Sequence, residues 1–260
     1  YILNLKVGSI MNNNELDYYN RIKNWDFSKI SYEVESLTNW DMYKILNEKT
    51  TKNSRILDLG TGGGEKVINK FPEALEIVGT DFSQQMIKTA KENLTKSNKK
   101  NIKFKVMDNL NMDTPDNYFD IVVARHTCID AKQIYKTLKK DGLLLLRGVD
   151  KLDCWQLKRL FNRGQAFNDI KPISQIDYEN ILDAGFRNVE LIPIYDREYF
   201  KTKDDLLALL LKTPILDNFS EENENTSLIK KDIDMQKLDE YIRNNTTDKG
   251  ILLRRRYYGI

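Results

Sequence analysis

Between Ser54 and Gly148 the chain alternates short, continuously apolar runs with stretches in which apolar residues recur every three or four positions. The runs are Arg55–Leu59, Leu75–Thr80, Ile102–Val106, Phe119–Ala124 and Leu143–Leu146. Runs that are apolar on both faces read as strands of a parallel sheet covered by helices. The spacing predicts a helix after the second run, where Ser83 can cap and Met86, Ile87, Ala90 and Leu94 share a face. Another is predicted from Asp130 to Lys140, with Ile134 and Leu138 inward and Gly142 as its stop.

Outside this stretch, capping boxes mark further helices. Thr38-x-x-Asp41 opens one towards Asn47, and Thr202-x-x-Asp205 opens the apolar stretch Leu206–Leu211. Ser174-x-x-Asp177 opens another with Tyr178, Ile181 and Leu182 inward and Gly185 as its end. Asn188–Tyr195 reads as a sixth strand and Ile251–Ile260 as a closing strand. Between them lie an acidic loop, Glu221–Asn225, and a weaker helix, Asp232–Asn244. This divides the chain into an N-terminal arm (1–37), a core (38–195), a helical insertion (196–249) and the closing strand (250–260). The arm carries Tyr18, Tyr19, Trp25, Phe27 and Tyr32. Arm and insertion are expected to form a helical lid over an acceptor site, although aromatics of this kind equally pack a helical appendage.

Composition narrows the function classes. The 260 residues hold 41 Lys+Arg, 39 Asp+Glu and one His, a formal net charge of +2. That near-balance gives no electrostatic case for a phosphate backbone as partner. Two cysteines, Cys128 and Cys154, leave no room for a disulfide framework or a Cys-rich zinc site and suit a reducing, cytoplasmic setting. No run approaches the ~18 apolar residues of a membrane helix. Tyr1–Ile10, ahead of Met11, lacks a basic segment followed by a long apolar one, so a secretory signal is not expected.

The chemistry concentrates where the first strand turns into the first helix, Arg55-Ile-Leu-Asp58-Leu-Gly60-Thr61-Gly62-Gly63-Gly64-Glu65. Glycines there permit a tight turn and close approach of a ligand to the backbone. The dinucleotide pattern G-x-G-x-x-G needs glycine where Glu65 stands, which disfavours a nicotinamide dehydrogenase. Asp58 would repel a pyrophosphate but suits a ligand carrying an ammonium group. Asp81 ends the second strand, where a carboxylate can accept from both ribose hydroxyls. Asp108 follows the third strand, where it can accept from an adenine amino group. Together these describe adenosine with a cationic amino-acid tail, S-adenosylmethionine.

With these motifs the chain resembles the class I S-adenosylmethionine-dependent methyltransferases, of the ubiquinone/menaquinone-biosynthesis type. Asp58-x-Gly60-x-Gly62-x-Gly64 matches the family's first motif, and Gly79-Thr-Asp81-Phe82-Ser83-Gln-Gln-Met86 resembles its ribose-binding motif. Asp108-Asn109 corresponds to the adenine-contact position, and Tyr118-Phe-Asp120-Ile-Val-Val resembles the fourth-strand motif. Leu138-Lys-Lys-Asp-Gly142-Leu resembles the turn into the fifth strand, with Lys140 and Asp141 where Pro and Gly are usual. The resemblance covers about residues 38–195. It implies a Rossmann-like α/β fold with a mostly parallel seven-stranded sheet, its last strand antiparallel beside the fifth. It also implies cofactor binding by Asp58, Gly60, Thr61, Gly62, Gly64, Asp81, Phe82, Met86, Asp108, Asn109 and Arg125, with S-adenosylhomocysteine as product and no metal.

Methyl transfer from a sulfonium is an in-line displacement governed mainly by positioning. A base matters only if the acceptor must lose a proton. His126, in Ala124-Arg125-His126-Thr127-Cys128, is the residue placed for that role, with a packing histidine as the bland reading. Arg125 suits an anionic acceptor, the cofactor pocket or a surface ion pair. No Pro-Pro occurs, so the (D/N)-P-P-(Y/F) motif of exocyclic-amine and glutamine methylators is absent. The expectation is a small-molecule methyltransferase. The alternatives are an rRNA or tRNA methyltransferase using Arg254-Arg255-Arg256 and the lysines from Lys96 to Lys105, and a non-catalytic binding protein.

Overall fold

A computed structural model describes residues 29–217, 219 and 228–260. Within them the order is β1 (Tyr32–Ser36), α1 (Met42–Lys49), β2 (Arg55–Leu59), α2 (Glu65–Lys70), β3 (Glu76–Asp81), α3 (Gln84–Thr95), β4 (Ile102–Val106) and β5 (Phe119–Arg125). There follow α4 (Ala131–Thr137), β6 (Leu138–Val149), α5 (Trp155–Phe161), α6 (Ile173–Ala184), β7 (Ile192–Phe200), α7 (Lys203–Lys212), α8 (Leu228–Asn245), β8 (Thr246–Thr247) and β9 (Gly250–Gly259). The described chain forms two compact units, one of residues 43–145 and one of 29–42 with 146–260. This division differs from the sequence-based boundaries, and β6 carries the chain across it.

The first unit contains the predicted βα alternation. Its parallel strands run in the order β5-β2-β3-β4, with Ile56 opposite both Ile77 and Ile121 and Ile77 opposite Ile102. Ile56, Leu57, Leu59 and Ile77 are fully buried, as strands covered on both faces require. Ser83 caps α3 by accepting from the Met86 N–H, and Met86, Ile87 and Ala90 form the buried face. Because the strands are parallel, the loops at 60–64, 81–83, 107–111 and 126–130 leave one edge of the sheet together.

The next helix ends earlier than predicted. Asp130 caps α4 by accepting from the N–H groups of Lys132 and Gln133, but the helix stops at Thr137 and β6 starts at Leu138. The helix is ended by Leu138, already extended at φ −71° and ψ 141°, and within β6 Asp141 takes φ +64°, a left-handed conformation that aspartate tolerates better than most residues. Gly142 therefore lies in the strand. A Cβ there would come within 2.9 Å of the Lys139 carbonyl oxygen and 3.2 Å of the Asp120 carbonyl oxygen, so the glycine serves close approach rather than helix termination.

In the second unit β9 lies antiparallel between β6 and β7, as the family resemblance implies for the final strand. β1 adds an antiparallel edge to β7, and β8 folds back on β9, giving nine strands among the described residues rather than seven. Tyr32-Glu-Val-Glu-Ser36 alternates apolar and charged side chains, a period-two pattern that favours a strand over the helical lid expected of the arm. Tyr32 stacks on Phe200 with ring centroids 5.2 Å apart. Tyr18, Tyr19, Trp25 and Phe27 lie outside the described residues.

The insertion helices build this unit's own core. Thr202 and Asp205 complete the predicted capping box of α7. Leu206, Leu209 and Leu210 then bury against Phe200, Leu238, Tyr241 and Leu253. These leucines are core residues of this unit, which removes them as an exposed apolar lining. β7 runs on to Phe200, past the predicted end at Tyr195. The capping box predicted at Ser174 and Asp177 does not form. Pro172 precedes α6, Ser174 Oγ donates to Asp150 Oδ2 at 2.9 Å, and Asp177 accepts from the Tyr258 hydroxyl at 2.5 Å. Leu182, expected inward, is 37% exposed, whereas Ile181 is buried and Gly185 closes the helix as predicted.

Candidate functional site

The site is built from the strand ends of the first unit. After β2, Gly60, Gly62 and Gly64 take φ values of +73°, +56° and +77°, a conformation that side chains with a Cβ rarely adopt. The turn is tied to the neighbouring strand by the Thr61 N–H, which donates to the Thr80 carbonyl at 2.8 Å. Glu65, whose identity breaks the dinucleotide pattern, opens α2; its carboxylate and the Gly63 carbonyl both accept from Asn93 Nδ2 on α3.

Three carboxylates face different demands. Asp58 is buried on β2, and burial pushes its carboxyl up to about 7, against the opposing pull of the Thr61 hydroxyl and the Arg125 guanidinium. Thr61 Oγ1 nevertheless completes no hydrogen bond of good geometry and is buried without a partner. Asp81 accepts the Gly62 N–H on one oxygen (3.0 Å) and the Ser83 N–H on the other (2.9 Å). Burial raises its carboxyl while these two bonds oppose the rise. A carboxylate offers about four acceptor positions, so each Asp81 oxygen keeps capacity for a ligand hydroxyl. Asp108 is exposed, with Oδ1 accepting from the Leu110 N–H at 2.9 Å.

The loop after β4 is held from α4. Gln133 Nε2 donates to the Leu110 carbonyl at 2.7 Å, and its Oε1 accepts from the Met112 N–H at 2.6 Å. Asn109 is buried and donates from Nδ2 to Thr127 Oγ1 at 2.9 Å, while its Oδ1 has no partner. At the end of β5, Arg125 is half-buried and lies close enough to Asp58 to act on its charge. His126 is exposed and strained into the left-handed region at φ +53°.

Thus Asp58, the glycine turn with Thr61, Asp81, Asp108, Asn109 and Arg125 gather at the C-terminal ends of adjacent parallel strands, where ligands of open α/β sheets bind. Phe82 lies half-buried beside Asp81, and Met86 is buried on the inner face of α3. Sequence reasoning missed Thr127, because nothing in its local pattern signals that it reaches Asn109. The two unpartnered buried atoms, Thr61 Oγ1 and Asn109 Oδ1, and the acidic donor set fit an adenosine bearing a cationic tail. Such orphan atoms inside a protein call for a ligand or water to complete them.

A family model described as "Methyltransferase domain" matches residues 50–185, a stretch that holds every one of these residues. The chain belongs to the S-adenosylmethionine-dependent methyltransferases. It is 33% identical over 189 residues to a phosphoethanolamine N-methyltransferase of Plasmodium falciparum, covering 64% of this chain and 70% of that protein. It is 26% identical over 99 residues to the uncharacterized methyltransferase YcgJ of Bacillus subtilis, covering 35% of this chain. The match spans 39% of YcgJ's length. A crystal structure of a methyltransferase candidate from Bacillus halodurans C-125 superposes with a TM-score of 0.58 at 18% identity, covering 84% of this chain and 96% of that one. That likeness shows the Rossmann-like α/β fold. S-Adenosylmethionine is accordingly the cofactor of this methyltransferase. Among the described residues no helix is long and apolar enough to cross a membrane.

Proposed function

We propose that this methyltransferase methylates a small-molecule acceptor, with His126 as general base. The observation that carries the reading is the loop after β5, which presents Arg125 and an exposed His126 in place of a Pro-Pro motif. The cofactor supplies an electrophilic methyl group on a sulfonium. Asp58 holds the cationic amino-acid end, and Asp81 accepts from the ribose. Asp108 with Asn109 brackets the adenine. Arg125 suits an anionic group on the acceptor, and His126 takes the acceptor's proton where the nucleophile carries one, a contribution of ~10²–10⁴-fold. The phosphoethanolamine enzyme among the relatives, named for a small phosphorylated amine, supports an acceptor of this size and polarity.

Most cations of the two basic runs that could touch RNA are engaged within the protein. Of the lysines from Lys96 to Lys105, Lys99 donates to the Phe71 carbonyl, Lys103 pairs with Glu76 and Lys105 with Asp113. Arg255 is buried between Asp153 and Glu198, Arg254 binds Gln156 and Asn245, and Arg256 lies over the Tyr195 ring. Neither run offers a continuous set of unpaired cations to a phosphate backbone. The test is transfer of a labelled methyl group into cell extract separated into RNA, protein and small-molecule fractions. Label in the small-molecule fraction supports the reading. Label confined to RNA or protein overturns the acceptor class, and cofactor binding with label in no fraction overturns turnover.

A further inference from the structure

The loop that presents His126 is tied to the cofactor cradle through a side chain to which the proposed reaction gives no role. Thr127 Oγ1 accepts from Asn109 Nδ2 at 2.9 Å, and Asn109 comes from the loop after β4. Thr127 also stands directly on the turn after β2: a Cβ built on Gly60 would meet Thr127 Cβ at 2.7 Å and Oγ1 at 2.9 Å. One side chain thereby joins the loops after β2, β4 and β5. The two buried polar atoms without partners flank this junction in sequence, Thr61 Oγ1 beside Gly60 and Asn109 Oδ1 on the very amide that holds Thr127. Asn109 and Thr61 are each 9% exposed, so water reaches them poorly and a bound ligand is the natural source of the missing partners. His126 sits immediately before Thr127 at φ +53°, a backbone state that persists only when its surroundings hold it.

We propose that Thr127 is a positioning residue. The Asn109–Thr127 bond transmits occupancy of the adenosine site to the Arg125–Thr127 loop, so the loop carrying His126 is ordered once the cofactor completes Asn109 and Thr61. The inference rests on the S-adenosylmethionine assignment and deepens it. It couples occupancy of the cofactor site to the order of the loop that carries His126.

Hydrogen–deuterium exchange with and without S-adenosylhomocysteine tests this on the full chain, read in peptides spanning residues 58–66 and 125–130. Wild type is expected to slow exchange in both, by at least about fivefold at 125–130. Thr127→Val, which keeps the shape and removes the acceptor, is expected to retain protection at 58–66 and lose it at 125–130. Thr127→Ser keeps Cβ and the hydroxyl and restores it. Asn109→Ala, measured at saturating S-adenosylhomocysteine because Asn109 also faces the cofactor, is expected to lose protection at 125–130, and in that background Thr127→Val adds no further loss there, as expected of a single shared bond. Protection at 125–130 that survives in Thr127→Val and Asn109→Ala overturns the coupling, as does wild-type protection confined to 58–66. Absence of protection at both places in wild type overturns the cofactor assignment itself, and the two failures are thereby distinguished.

Discussion

If Asp58 receives the cofactor's ammonium group, as proposed, cofactor binding should release a proton. Burial holds its carboxyl at about 7, so at pH 6 the empty protein carries about 0.9 proton on this group. A ligand ammonium brought beside it favours the ionised form, and binding must expel that proton. If only the ionised form binds tightly, the competent fraction is about one tenth at pH 6 and about nine tenths at pH 8. For the ligand with its ammonium protonated, the apparent affinity therefore rises about tenfold from pH 6 to pH 8. The ligand's own amino group, with a typical pKa of about 7.7–8.0, stays protonated near pH 6 and does not mimic the effect. Calorimetric titration of S-adenosylhomocysteine at pH 6, in buffers of different ionisation enthalpy, reads the released proton directly. Asp58→Asn should bind more weakly with the release abolished. The same group sets a stability slope of definite sign. Its folded pKa lies above the unfolded 3.8, so its contribution is full below about 3.8 and is lost as pH rises through about 7. The ligand-free protein should melt lower at pH 8 than at pH 5, less so in Asp58→Asn. Release of fewer than about 0.2 protons at pH 6 would refute the reasoning, since the carboxyl would then be ionised before the ligand arrives.

Three further substitutions separate roles. His126→Ala should lower turnover at least about tenfold and leave S-adenosylhomocysteine affinity unchanged, and near-normal turnover would remove the base assignment. Gly60→Ala places a Cβ 2.7 Å from Thr127 at φ +73°. The left-handed conformation alone costs about 1–2 kcal/mol, so a turn that must re-form it on binding should lose about 5–30-fold in cofactor affinity, and retained affinity would refute the turn's role. Leu206→Ala should cost about 2–5 kcal/mol in denaturant unfolding, because Leu206 is fully buried in the second unit's core. An acceptor-lining lid residue would instead change acceptor KM at constant stability.

The parallel strands of the first unit were legible because burial on both faces leaves an unbroken apolar signature. Ile102–Val106 is observed as read, and β3 is displaced from its predicted span by one residue. The misreadings have separate causes. Ser174 and Asp177 have the spacing of a capping box, but tertiary partners, Asp150 and Tyr258, engage both side chains. Leu138 continues the helical periodicity of α4, yet its backbone is already extended and it opens β6, so no glycine stop at Gly142 is needed. β1 eluded the reading because an edge strand of five residues carries only half a hydrophobic signal, and its partner β7 is more than 150 residues away in sequence.

The gathering of the candidate cofactor residues was readable for a different reason. Successive strands of a parallel sheet deliver their C-terminal ends to one place, so residues far apart in sequence become neighbours by topology alone. Asp58, Asp81 and Asp108 could be placed together once their strands were recognised. What topology does not encode is which side chain crosses from one loop to the next. The Asn109–Thr127 bond and the seat of Thr127 on Gly60 depend on side-chain reach rather than pattern. The basic runs fail in the opposite direction. Arg254-Arg255-Arg256 looks like one positive patch in sequence, but strand alternation sends neighbouring side chains to opposite faces. Arg255 enters a buried cluster with Asp153 and Glu198, and its two neighbours find separate partners. A charge run on a strand therefore predicts three environments rather than one surface.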